Sequence, residues 1–178
     1  MSVKWAEFNV GSSTEYSYDR NVYAHDAGVP ANWGGWRLPT RAETQELFYA
    51  SNRQWVTGSN NGIKFNCNDN YVAMGAGGKN RSYDYGDSTT GEGAIVYFYI
   101  GETVQDKYGN TIWYRAAFGS SGSTLDFSTV NVEGTVYFYY DCSAMRLVND
   151  YNVLESEGES DKFILGVDSY DIDDFETE

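Results

Sequence analysis

At 178 residues the chain has the length of one domain, enough to bury roughly two-thirds of the surface that its unfolded form exposes. Lysine and arginine number 12 against 26 acidic residues, a net charge of −14, which disfavours nucleic acid or an anionic membrane as partner because both require phosphate-neutralising cations. Leu, Ile, Val and Phe together fall just under one-fifth of the chain, a level that with high charge signals disorder, but 16 Tyr and 5 Trp restore the missing apolar area and predict an aromatic core of mostly β structure with one or two helices.

The N-terminus, Met1-Ser-Val-Lys-Trp-Ala-Glu-Phe8, has no apolar signal core, so no classical export leader is expected, and no apolar run is long enough to span a membrane. Trp5 and Phe8 belong to a first strand. The sole histidine, His25 in Tyr23-Ala-His-Asp26, reads as a surface or turn residue. Thr40, with Glu43 three positions on, forms a capping box, and Leu47 and Phe48 give the following helix a narrow apolar stripe over residues 41–52. Trp55-Val56 and Ile63-Lys-Phe65 flank Asn60-Asn-Gly62, whose Asn-Gly step supplies the positive φ angles of a tight hairpin turn. Cys67 and Cys142 lie far apart without metal or redox spacing and are expected as buried thiols rather than a disulfide.

Residues 74–92 show no apolar period and predict a long loop of the kind that carries function. Within it, Gly75-Ala-Gly-Gly-Lys79 lacks the spacing of a phosphate-binding loop and serves flexibility. Residues 94–100 and 112–118 read as strands around a turn at Lys107–Asn110, and 135–140 and 143–148 as the strands that close the domain. Residues 149–178 are a different object: they hold 11 of the 26 acidic residues and one of the 12 basic ones, with an apolar island at Phe163-Ile-Leu-Gly-Val167. The expected organisation is a domain over 1–148 and an acidic tail over 149–178 that docks on a partner.

Three features fall in a telling order: Val3-Lys-Trp-Ala-Glu-Phe-Asn-Val-Gly11 at the start, Gly35-Trp-Arg-Leu-Pro-Thr40 before the acidic helix, and Met145-Arg-Leu-Val148 at the close. This order resembles the Fibrobacter succinogenes major paralogous domain, a family similar to the C-type lectin fold and to the variable receptor-binding proteins of phage. The resemblance spans about residues 3–148. It implies an α+β, C-type-lectin-like fold of small twisted antiparallel sheets, one or two helices and long loops, with the closing strand beside the first. Tyr139-Tyr-Asp-Cys142 and Asn66-Cys-Asn-Asp-Asn70 depart from the family pattern.

A catalytic site needs convergent ionisable groups, and none is apparent, so no enzyme activity and no cofactor or metal are expected. Asp84, Asp87 and Glu92 could supply calcium oxygens, but the sugar-binding signatures of calcium-dependent lectins are missing. Recognition by surface aromatics remains. Tyr83, Asp84 and Tyr85 in the long loop, and Tyr108, Trp113, Tyr114 and Arg115 around the next turn, are residue types that dominate binding surfaces. Phe163, Ile164, Leu165, Val167, Tyr170 and Phe175 are the partner-docking candidates of the tail. The expected role is a non-catalytic module of a phage particle, on head or tail, whose partners are other virion proteins or a cell-surface glycan or protein, with a homo-oligomer as one form. The alternative is a bacterial surface or secreted adhesin domain. Neither nucleic-acid binding nor membrane insertion is expected.

Overall fold

A computed structural model describes residues 1–10, 14–16, 35–56, 62–75, 95–109, 111–119, 124–129, 145–150 and 166–168. Among them one helix and small, mostly antiparallel sheets make a broadly α+β architecture. The helix α1 (Arg41–Ala50) starts where the capping box places it: the Glu43 amide donates to Thr40 Oγ1 at 3.1 Å and the Thr40 amide to Glu43 Oε1 at 2.8 Å. Thr44, Leu47 and Phe48 are its buried stripe. It stops two residues short of the expected end, because Ser51 is already extended and Asn52 opens strand β2.

The strands β2 (Asn52–Val56), β3 (Gly62–Cys67) and β4 (Asn70–Gly75) form one antiparallel sheet in that order. β2 and β3 pair antiparallel as the expected hairpin, with Gly62 already inside β3 opposite Val56 rather than in a two-residue turn. A side chain there is excluded by close backbone approach, since a Cβ would lie 1.9 Å from the Met74 carbonyl oxygen. A tight turn falls at Asn68-Asp69, where Asn68 takes φ 54° and Cys67 pairs with Asn70. Asn and Asp tolerate this left-handed region better than other side chains, which is why an apparent insertion in the sequence is a hairpin.

A second antiparallel sheet holds β5 (Ile95–Gln105), β6 (Thr111–Gly119) and β7 (Asp126–Thr129). The register passes from Tyr99 opposite Arg115 to Thr103 opposite Trp113, so three residues of β5 face one of β6. This bulge swings Gly101 onto the segment before the helix, where its amide donates to the Pro39 carbonyl at 2.7 Å. Gly109 closes the hairpin with φ 82°, its amide bonding the Asp106 carbonyl at 3.1 Å, while the Asp106 side chain accepts from the Tyr108 amide at 2.8 Å.

The third sheet joins the beginning of the chain to its end. Strand β1 (Val3–Ala6) lies between β8 (Val148–Asp150), antiparallel, and β9 (Gly166–Asp168), parallel. The closing segment therefore lies beside the first strand, and residues of the acidic tail contribute to both flanking strands. On the far side of β8, Arg37 bridges Val148 through paired backbone bonds of 2.9 and 2.8 Å. The Arg37 guanidinium then grips Glu43 with two bonds of 2.7 Å and reaches Asp150 at 3.1 Å, tying the helix start to the closing strand. Burial alone would raise the Glu43 carboxyl, but the Arg37 and Thr40 bonds outweigh it and hold the group below its ordinary value.

Two apolar clusters result. The larger packs Val3 and Trp5 of β1, Leu47 and Phe48 of α1, and inward residues of β3 to β6 around Phe118. The smaller gathers Ala6, Val10, Leu38, Tyr99, Met145 and Leu147 on the other side of β5, with Trp36 and Trp113 against it. Alternation along β5 explains the split, because Val96, Phe98 and Ile100 face the first cluster and Tyr99 the second. Among the described residues the core is rich in aromatic rings, as expected: Phe and Trp rings centre it, Leu, Ile, Val and Met fill around them, and Tyr49 and Tyr108 face solvent. Arg146 is fully buried between the first and closing segments. It donates to Asn9 Oδ1 at 2.9 Å, to the Ala6 carbonyl at 3.2 Å and to the Glu15 carbonyl at 3.3 Å.

Candidate binding surface

The β5–β6 hairpin continues beyond the core and carries Tyr108, one of two exposed aromatic side chains among the described residues, the other being Tyr49 on α1. On β6 the two-residue period places Ile112, Tyr114, Ala116 and Phe118 on one face. Ala116 and Phe118 are buried, Tyr114 is half-buried against the larger cluster, and Ile112 lies opposite Val104 near the tip. Val104 is 41% exposed and Tyr108, at the turn, 77%. One face thus passes from packed core to open apolar surface over a few residues, with Lys107 Nζ 5.1 Å from the Tyr108 ring.

Where core gives way to surface, Arg41 lies over two rings, its guanidinium carbon 4.5 Å from the Phe127 centroid and 5.2 Å from that of Tyr114. Arg41 Nε donates to Glu102 Oε1 at 3.2 Å and Nη2 bonds Oε2, a forked pair that the β5 bulge makes possible by presenting Glu102 to the helix start. Hydrogen bonding to Glu102 raises the already high guanidinium pKa, against a smaller effect of burial. The cluster fixes the base of the hairpin while leaving the outer face of Arg41 and Glu102 accessible, their side chains being 40% and 38% exposed.

The sequence candidates divide accordingly. Tyr108 is at the exposed tip; Trp113 is half-buried against the smaller cluster, Tyr114 is the ring under Arg41, and half-buried Arg115 lies opposite Tyr99. Val104, Arg41, Glu102 and Phe127 were not legible as surface members. Glu102 is 61 positions from Arg41, and only the bulge brings them together. Tyr83, Asp84, Tyr85, Asp87, Glu92, His25 and Cys142 lie outside the described residues, as do Phe163, Ile164, Leu165, Tyr170, Phe175 and the expected strand 135–140. Val167 is placed in β9, opposite Trp5.

A concavity of about 310 Å³ elsewhere on the molecule is lined by Met1, Glu46, Ala50, Asn52, Asn66, Cys67 and Asn68. Glu46 Oε1 accepts from the Ser2 amide at 2.6 Å and from its hydroxyl at 3.1 Å, and Asn66 Nδ2 donates to the Asn52 carbonyl at 3.1 Å. Burial lowers the pKa of the Met1 amino group, with Glu46 and Cys67 opposing. Cys67 is half-buried at this rim, more open than the sequence suggested, because it ends β3 beside the Asn68-Asp69 turn. The lining is thus the amino group and thioether of Met1, the Glu46 carboxylate, the Cys67 thiol, three side-chain amides and the Ala50 methyl group.

Among the described residues no group of three or more His, Cys, Asp or Glu side chains could hold a metal ion, and no helix is long and apolar enough to cross a membrane. Comparison of the chain with protein-family models, curated proteins and solved structures finds no match.

Proposed function

We propose that the chain is a non-catalytic binding and assembly module of a bacteriophage particle, in which a C-type-lectin-like domain presents a recognition surface and the acidic tail serves attachment. The observation that carries this reading is the core-anchored hairpin with Tyr108 and Val104 exposed at its end. Rigid aromatic area held out on a braced scaffold loses little conformational freedom on binding, which suits recognition of a glycan or protein surface. The pairing of β1 with β8 agrees with the chain path of the suggested fold. The order of the Trp36-Arg-Leu-Pro-Thr40 and Met145-Arg-Leu-Val148 segments supports it as well.

Localisation tests this. Antibodies raised against the purified chain should label density-banded phage particles from the source culture and leave the cell envelope unlabelled. Label confined to the envelope would overturn the virion role and favour an adhesin.

A further inference from the structure

Strand β1 has two edges, and both are filled from the C-terminal part of the chain. β8 takes one, and β9 takes the other, with Lys4, Trp5 and Ala6 opposite Gly166, Val167 and Asp168. β9 also lies against β4, so it covers the seam between two sheets. Without it, the backbone donors and acceptors of β1 beside the buried Trp5 and Ala6 would form an open edge, a ready template for another strand.

The connection from β8 to β9 does not dictate whose β1 receives the strand. β8 and β9 flank β1, so residues 150 and 166 lie about 10 Å apart, two strand spacings. The intervening segment of about 15 residues can reach roughly 50 Å when extended.

We infer that the outer edge of β1 is a strand-acceptor site and that, in the assembled state, it receives Gly166–Asp168 from a second copy of the chain. This rests on the assembly role proposed above and names the partner. Donor and acceptor are the same in both arrangements, so the contacts are conserved and exchange turns on entropy. A strand joined to its own chain through about 15 residues competes at an effective concentration in the millimolar range. A three-residue edge strand opens readily. Exchange therefore prevails where copies stand side by side, as in an assembly, and yields to the closed form on dilution. The charge of −14 on each copy opposes it at low ionic strength, and salt relieves that opposition.

Cross-chain trapping tests the inference with the full chain. In a background of Cys67→Ser and Cys142→Ser, one preparation carries Lys4→Cys and another Gly166→Cys. The two are mixed near millimolar concentration in 0.3 M salt and oxidised. The expected result on a non-reducing gel is a shift from the single 20.0 kDa chain to a linked pair, several-fold above the yield from Lys4→Cys mixed with Thr111→Cys on the distant hairpin. A chain with both Lys4→Cys and Gly166→Cys should close within itself when dilute. Internal closure at every concentration, with no more cross-linking than the control, would overturn the inference, as would failure of the double variant to close while its far-ultraviolet dichroism is unchanged. Sedimentation of the unsubstituted chain supplies a second reading: a dimer growing with concentration and salt is expected, and a monomer near millimolar concentration contradicts exchange. Particle labelling is independent of either result, so failure of exchange is distinguishable from failure of the virion role.

Discussion

Replacing Phe118 with alanine should lower the stability of the fold by about 3 to 5 kcal/mol, the range for removing a buried aromatic ring. Phe118 is the meeting point of the larger cluster, with ring centroids 5.2 Å from Phe48, 5.6 Å from Phe65, 6.1 Å from Phe98 and 6.3 Å from Trp55. These neighbours come from α1, β3, β5 and β2, so one truncation loosens contacts among four elements. Most are tilted or edge-on pairs, each worth about 0.5 to 1.5 kcal/mol beyond the area buried. In a chain of this size, each kcal/mol lowers the melting temperature by about 2 to 4 °C, giving a fall on the order of 10 °C. Urea denaturation should show a lower midpoint at constant slope. A loss under about 1 kcal/mol would mean that the ring is not enclosed as described.

Arg146→Met should cost a comparable amount, about 3 to 5 kcal/mol, although it preserves most of the buried side-chain volume. The arginine fork satisfies the Asn9 amide oxygen and the carbonyls of Ala6 and Glu15 from a fully buried position. Methionine fills the space but leaves those acceptors without their donor in a region closed to water, and each buried polar group left unsatisfied costs about 1 to 3 kcal/mol. The defect lies where the first and closing segments meet. Amide hydrogen exchange should therefore accelerate at Ala6 and Val10, whose amides bond the Leu147 and Met145 carbonyls at 2.9 and 2.8 Å. Unchanged exchange at those amides, with stability retained, would show that the clamp is dispensable.

Local features of this fold were readable in the sequence, and long-range ones were not. The Thr40-x-x-Glu43 box starts the helix because cap and first turn lie within four residues. The β5–β6 hairpin was announced by two apolar runs about a turn with Gly109. By contrast, the Asn68-Asp69 turn has no glycine, and β7 and β9 are too short to display a period. Arg146 looks in sequence like a solvated charge between apolar neighbours; its burial depends on Asn9 at 137 positions' remove. The candidate surface follows the same rule. Tyr108 was recognisable from its turn, whereas the Arg41 stack needs α1, β5, β6 and β7 together, and a sequence alone does not reveal that Tyr114 supports the surface from beneath.

On the proposed function, recognition resides in the hairpin tip and is separable from the stability of the fold. This is tested most directly by titrating the intact chain and its Tyr108→Ala variant against an array of bacterial envelope glycans and proteins, with melting curves recorded alongside. Tyr108 is 77% exposed, so its removal should change stability by no more than about 0.5 kcal/mol. Whichever probe the intact chain binds should be held about 30-fold more weakly by the variant, the loss of a contact worth about 2 kcal/mol. Equal affinity of the two proteins for that probe, at equal melting temperature, would contradict the account.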